Sequence, residues 1–154
     1  MVHYKNPLLV LGCVPEWQNR ILLCRRAIEP RRGYWTVPAG FMENGETLQE
    51  AAARECYEEA LARVQIGSLL SVVHVLHAEQ VHVFFRATMP LGEFGVGAES
   101  LEVALVSPGE IPWADIAFRS TDFTLRRYLE DRAAGRELHY FETLDRRAPP
   151  PKDG

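Results

Sequence analysis

Two short apolar runs open the chain, Leu8 to Val14 and Arg20 to Cys24, separated by Pro15, Glu16, Trp17, Gln18 and Asn19. Runs of that length bounded by turn residues predict two strands joined by a five-residue turn. Tyr34 to Val37 reads as a brief strand stopped by Pro38, with a loop from there to the Asn44-Gly45 turn signal. The pattern then becomes helical. Thr47 and Glu50 form a capping box, and the run through Ala62 is rich in Ala, Leu, Glu and Arg without Gly or Pro, which predicts a helix. β-Branched and aromatic residues from Ile66 to Leu76 and from Val81 to Thr88 flank a polar His77 to Gln80 connection and predict a second hairpin. Pro90 to Ser100, with Gly92, Gly95 and Gly97, reads as a loop, Leu101 to Val106 as a strand and Pro108 to Pro112 as a turn. A second helix is expected from about Thr121 to Ala134, capped by Ser120 or Thr121 and closed by Gly135, with Phe123, Leu125, Tyr128 and Leu129 as its apolar positions.

Composition narrows the class without naming a chemistry. The chain has 154 residues, 47% of them hydrophobic and 25% charged, as expected for one globular domain over residues 1–145. The tail from Arg146, with three consecutive prolines, is expected to be disordered. A net charge of −4 removes the global argument for a nucleic-acid or membrane-surface protein, so any polyanionic ligand must be met locally. Cys13, Cys24 and Cys56 are odd in number and lack CxxC spacing, which argues against a disulfide framework or zinc ribbon and for a reducing cytoplasm. No apolar run approaches the ~20 residues of a membrane helix, and no secretory pattern opens the chain.

The informative constellation lies on the first helix. At about 100° per residue, Glu55, Glu58 and Glu59 share one face, and Leu48, Ala51 and Ala52 precede them on the same stripe. Three acids so placed repel one another at the helix end whose dipole is already negative, so a counter-charge is implied. Arg54, four residues before Glu58, can pair with it but cannot satisfy all three acids. A hard divalent cation with oxygen ligands, Mg²⁺ or Mn²⁺, suits the set and suits hydrolysis of a phosphate anhydride. From the acid spacing alone, a solvated Glu-rich helix is an equal competitor.

The wider spacing separates the two. Gly40, five residues, Glu46, seven residues, Arg54-Glu55, two residues and Glu58-Glu59 resemble the Nudix hydrolase box. Six fixed positions coincide by chance with a probability on the order of 10⁻⁸ to 10⁻⁷ per start site. The match departs from the family at Leu61, where Gly is usual, and at Cys56 and Ala62, where larger aliphatics are common. Residues 3–7, 22–30, 33–46 and 111–113 extend the resemblance toward a subgroup described as ADP-ribose or FAD pyrophosphatases. Members of that subgroup commonly carry a zinc ribbon ahead of the segment similar to residues 2–7, so a naturally short form or a trimmed chain is expected. Nothing between Leu61 and Glu102 resembles the signature of the NADH pyrophosphatase branch, which disfavours NADH.

The resemblance implies an α/β/α sandwich of the Nudix type with a mixed central sheet. It implies a metal site of Glu55, Glu58 and Glu59 with the Ala39 carbonyl, acids oriented by Arg54, and a loop from Gly40 braced by Glu46. One further acid from a later loop is expected as ligand or general base, with Glu102 ranked ahead of Glu99 by position. The implied reaction is Mg²⁺-dependent cleavage of a nucleoside diphosphate linked to another moiety, ADP-ribose or FAD, to two monophosphates. The alternatives are a house-cleaning nucleoside triphosphate pyrophosphohydrolase and a non-catalytic sensor of an ADP-ribose-type ligand. A homodimer is expected; a nucleic-acid or membrane partner is not.

Other features carry less. Arg26 is a candidate phosphate contact, and Tyr34 and Trp35 are candidates to stack on a base, although strand aromatics usually belong to the core. His74, His77 and His82 do not share strand parity, so a metal cluster there is disfavoured. Gly92, Gly95 and Gly97 fit no phosphate-binding fingerprint and suggest a mobile loop over the site. No GxSxG elbow is present, and Cys56 has no adjacent His, so nucleophilic catalysis finds no support.

Overall fold

The computed structural model describes residues 5–146; residues 147–154, which include most of the expected disordered tail, lie outside it. Among the described residues eight strands form one mixed sheet: β1 (Leu8–Trp17), β2 (Arg20–Arg26), β3 (Trp35–Thr36), β4 (Ala39–Phe41), β5 (Gln65–Val75), β6 (Gln80–Thr88), β7 (Ser100–Val106) and β8 (Tyr140–Leu144). The main path runs β3-β2-β1-β6-β5-β8, with β4 added to β1 and β7 to β2. The β1–β6 and β5–β8 pairs are parallel and the others antiparallel. Helices α1 (Leu48–Ala60) and α2 (Arg119–Ala134) complete the fold.

Strand alternation explains why the opening runs are apolar at successive positions. Leu11, Cys13, Leu22 and Cys24 pack with Ala51, Ala52, Cys56 and Ala60 of α1, while Val14, Ile21 and Leu23 pack with Leu125 and Tyr128 of α2. The strands are thus covered on both faces, which is the expected α/β/α sandwich.

The first hairpin differs from expectation. Its strands continue through Trp17, and only Gln18 and Asn19 turn, both in the left-handed region (φ 46° and 69°), as a tight two-residue connection between twisted strands requires. Pro15 is accommodated because the Cys13 N–H points to Pro38 and alternation sends the Pro15 nitrogen the same way. It meets a gap there, between the β4 pairing at Val10–Gly12 and the β2 pairing at Glu16–Trp17. Ala39–Phe41, expected to be loop, forms β4, and Tyr140–Leu144 forms the unexpected edge strand β8. Both are too short for periodicity to reveal.

Helix α1 begins as the capping box dictates: Thr47 Oγ1 accepts from the Glu50 N–H at 3.0 Å, and Glu50 accepts from the Thr47 N–H at 2.9 Å. It ends at Ala60 rather than Ala62, because Leu61 turns left-handed (φ 49°) with its N–H on the Tyr57 carbonyl. Leu61 thus adopts the conformation that the family's usual Gly takes freely, at a cost of about 1–2 kcal/mol.

Helix α2 starts at Arg119, and neither Ser120 nor Thr121 caps it. Those hydroxyls face the sheet instead: Ser120 meets His82 at 2.7 Å and Thr121 meets Thr36 at 3.2 Å. Thr124 bonds Ser71, and buried Asp131 pairs with Arg86. The helix therefore docks through a polar seam as well as through Leu125 and Tyr128, and Gly135 closes it at φ 67° as expected.

Candidate active site

The capping box aims α1 so that its C-terminal half meets the β4 loop. Arg54 ties the two together. Its Nε and Nη2 donate to the two Glu46 oxygens at 2.6 and 3.0 Å, Nη2 also reaches the Phe41 carbonyl at 3.1 Å, and Nη1 donates to Glu55 at 2.9 Å and Glu58 at 3.2 Å. Glu46 in turn accepts the Glu43 N–H at 2.9 Å, and its hydrogen bonds, Arg54's foremost, hold its pKa below the usual carboxylate value. Arg54 and Glu46 therefore stand where an orienting residue and a loop brace are needed.

Glu55 is buried, Glu58 is exposed, and Glu59 lies between. Glu59 Oε2 accepts the Ala39 N–H at 3.3 Å, and a Cβ on Gly40 would stand 2.2 Å from a Glu55 oxygen, so the loop closes directly on the carboxylates. Burial raises the Glu55 pKa, and burial reinforced by Glu55 raises that of Glu59 to about 8. Two neighbouring carboxylates so disfavoured as anions suit a hard divalent cation, and their oxygens, with Glu58 and the carbonyl of adjacent Ala39, make a fitting donor set. Among the described residues no three acidic, thiol or imidazole side chains already stand as a ligand cluster, Glu55 and Glu58 being engaged by Arg54.

These acids line one part of a cavity of about 790 Å³, shared with Arg26, Glu99 and the start of α2. That volume falls within the ordinary range for ligand sites, about 300–1,000 Å³. Arg26 donates its Nε to the Pro30 carbonyl at 2.8 Å and lies 4.9 Å over the Phe118 ring, in a cavity whose lining also includes Glu29, Glu59 and Glu99.

The structure places the two later acids differently. Glu99 lines the cavity, whereas Glu102 sits opposite Arg25 across β2 and β7, 3.9 Å from its guanidinium and outside the cavity lining. Tyr34 and Trp35 do not line it either: Tyr34 lies beneath the Arg31 guanidinium at 3.8 Å, and Trp35 packs on the core under α2.

The glycine loop is anchored, not poised as a lid. Gly95 N–H bonds the Ala60 carbonyl at 2.7 Å, Gly97 N–H bonds the Glu59 carbonyl at 3.0 Å, and Ser100 Oγ donates to that carbonyl at 2.8 Å. The loop satisfies carbonyls that the end of α1 leaves open, and it carries Glu99 to the cavity. Cys13, Cys24 and Cys56 are buried and free, as a structural role predicts.

Sequence reading missed the contribution of α2. Phe118, Arg119, Ser120 and Thr121 line the cavity with His82 and Thr36, residues brought together from three distant segments with no local signal. His82 is buried; its Nδ1 meets Ser120 Oγ at 2.7 Å and its Nε2 meets Gln80 Oε1 at 2.8 Å, the pattern of a neutral Nε2–H ring accepting from Ser120. Burial lowers its pKa to about 4. A depressed folded-state pKa means that the stabilisation is complete above the unfolded value of about 6.5 and is lost as pH falls from there toward 4. Wild type is expected to lose up to about 3 kcal/mol more than His82→Gln over that window. Urea unfolding at pH 7 and pH 4.5 checks this, and parallel losses in both proteins would refute it.

Comparison with known proteins places this geometry. The NUDIX domain profile matches residues 7–128. An ADP-ribose pyrophosphatase of Methanocaldococcus jannaschii is 39% identical over 69 residues, 45% of this chain and 41% of that protein. The Nudix hydrolase YvcI of Bacillus subtilis is 40% identical over 110 residues, 70% of this chain and 65% of its own. The chain spans less than two thirds of the length of the first curated relatives it matches. The crystal structure of a NUDIX hydrolase from Nitrosomonas europaea superposes with a TM-score of 0.92 at 50% identity, covering 95% of this chain and 83% of that one. With the domain profile spanning most of its length and the box residues gathered at one cavity, the chain belongs to the Nudix family.

Proposed function

We propose that the chain is a Mg²⁺- or Mn²⁺-dependent pyrophosphohydrolase that cleaves a nucleoside diphosphate linked to another moiety, ADP-ribose or FAD, into two monophosphates. The observation that carries this reading is the convergence of Glu55, Glu58, Glu59 and Ala39 on one cavity large enough for a dinucleotide-type ligand. A relative whose name refers to ADP-ribose supports the substrate class.

Glu55, Glu58, Glu59 and the Ala39 carbonyl would hold the cation, which when bound supplies Lewis-acid neutralisation of charge on the bridging oxygens. Arg54 keeps Glu55 and Glu58 aligned. Arg26 binds non-bridging phosphate oxygens, its planar fork suited to them. Water adds to one phosphorus as the bridging P–O bond breaks, and Glu99 takes the water's proton.

The test is chromatographic product analysis of ADP-ribose, FAD, NADH and a nucleoside triphosphate panel with Mg²⁺ or Mn²⁺ and a chelator control. Metal-dependent AMP from ADP-ribose or FAD is expected. Intact substrates throughout would refute catalysis and favour a binding module on the same fold.

A further inference from the structure

Beyond the acids, the floor of the cavity is the sheet itself. Register sets Phe41, Val10 and His82 opposite one another on β4, β1 and β6, and Gln80, Val75 and Leu144 opposite one another on β6, β5 and β8. Residues opposite in register, or two apart on one strand, share a face of the sheet, and all six line the cavity. Apart from His82 and Gln80 they are apolar. Phe41, 51% exposed, is the open aromatic ring here, since Phe84 is buried and Phe118 lies under the Arg26 guanidinium.

Gln80 is the polar group of this floor with hydrogen-bonding capacity to spare. Its Oε1 accepts from His82 Nε2–H at 2.8 Å, while His82 Nδ1 is occupied by Ser120 Oγ at 2.7 Å. Those two bonds fix the direction of the amide, with its oxygen on His82 and its nitrogen turned away. The Nε2 bonds no described residue and is not a buried atom, so its N–H groups remain open to an incoming acceptor. Here the floor offers donors on a half-buried, otherwise apolar surface.

From these placements we propose that the sheet floor holds the adenine of the substrate, its ring stacked on Phe41 and one ring nitrogen accepting from Gln80 Nε2. The inference rests on the functional reading above and names where in the same cavity the base goes. With strands rising about 3.3 Å per residue and lying about 4.8 Å apart, the Gln80 Cα stands about 16 Å from that of Ala39 and about 12 Å from that of Phe41. The first distance leaves room for ribose and phosphates between base and acids, and the second is bridged by a purine and the two side chains. Adenine suits such a surface, being flat and uncharged with acceptors at N1, N3 and N7. A donor whose direction is locked by a second residue discriminates against a base that lacks the matching acceptor.

The experiment measures dissociation constants by titration calorimetry with Mg²⁺ for ADP, the part common to ADP-ribose and FAD, and for its 1-deaza, 3-deaza and 7-deaza forms. Wild type, Gln80→Met, Gln80→Glu and Phe41→Leu are compared, each checked by circular dichroism, with turnover of ADP-ribose and FAD measured alongside. One deaza form is expected to bind wild type about tenfold more weakly than ADP, identifying the nitrogen that is read. In both Gln80 variants that gap closes to within about twofold; Gln80→Glu keeps an acceptor for His82 Nε2–H, so its closure is not a consequence of a disturbed His82. Phe41→Leu weakens all four ligands alike, by about fivefold. Equal wild-type binding of the four, a gap that survives either Gln80 variant, undiminished affinity in Phe41→Leu, or no binding of ADP overturns the inference alone. Turnover of neither ADP-ribose nor FAD by wild type overturns the functional reading, and with it the substrate named here.

Discussion

Glu59→Gln is expected to abolish turnover while leaving the fold intact. The amide that replaces the carboxylate retains an oxygen that can accept the Ala39 N–H, and the change removes a charge that burial already disfavours, so the metal-free protein should melt no lower than wild type. The loss falls on the reaction. Without the charge of one cation-holding oxygen group, kcat should fall by about 10³-fold or more, equal to about 4 kcal/mol of transition-state stabilisation. Glu58→Gln should give a loss of similar size from an exposed position, where no stability effect is expected. Turnover on the best substrate of the panel, with melting temperatures measured in chelator, separates chemistry from folding. Near wild-type rates in both variants would remove the box acids from the mechanism.

Gly97→Ala is expected to damage stability and activity together. A Cβ at Gly97 would lie 2.0 Å from the Glu58 carbonyl oxygen and 2.7 Å from that of Glu59, distances that only backbone movement can relieve. Either the loop releases its hydrogen bonds to Glu59 and Ala60, or the last turn of α1 shifts with its carboxylates. The expected costs are about 3 kcal/mol in stability and about 10²-fold in kcat from misplaced acids. Gly95→Ala is the control. There the nearest atom, at 3.0 Å, is the tip of the Leu61 side chain, which can move, so the effect should be much smaller. Equal and mild effects at both positions would mean that the loop is not a brace, and would restore the mobile-lid reading that its glycines suggested.

The sequence by itself determined what depends on near neighbours along the chain. The Thr47–Glu50 box specified where α1 starts because both of its hydrogen bonds span three residues. Helical period placed Glu55, Glu58 and Glu59 together, and the same spacing carried the family resemblance that the domain match bears out. The short apolar runs made β1 and β2 legible as strands.

Tertiary structure decided what depends on residues far apart in the chain. Glu99 rather than Glu102 faces the cavity because β7 pairs with β2 in a register that sets Glu102 against Arg25. Gly97 is explained by carbonyls about 40 residues earlier, at the end of α1, which no periodicity in the loop can signal. Ser120 and Thr121 resembled helix caps because their hydroxyls can bond locally, but His82 and Thr36 of the opposing sheet took those bonds instead. Packing also left the Arg119 Nε without a hydrogen-bond acceptor, a penalty that arises only where packing excludes water.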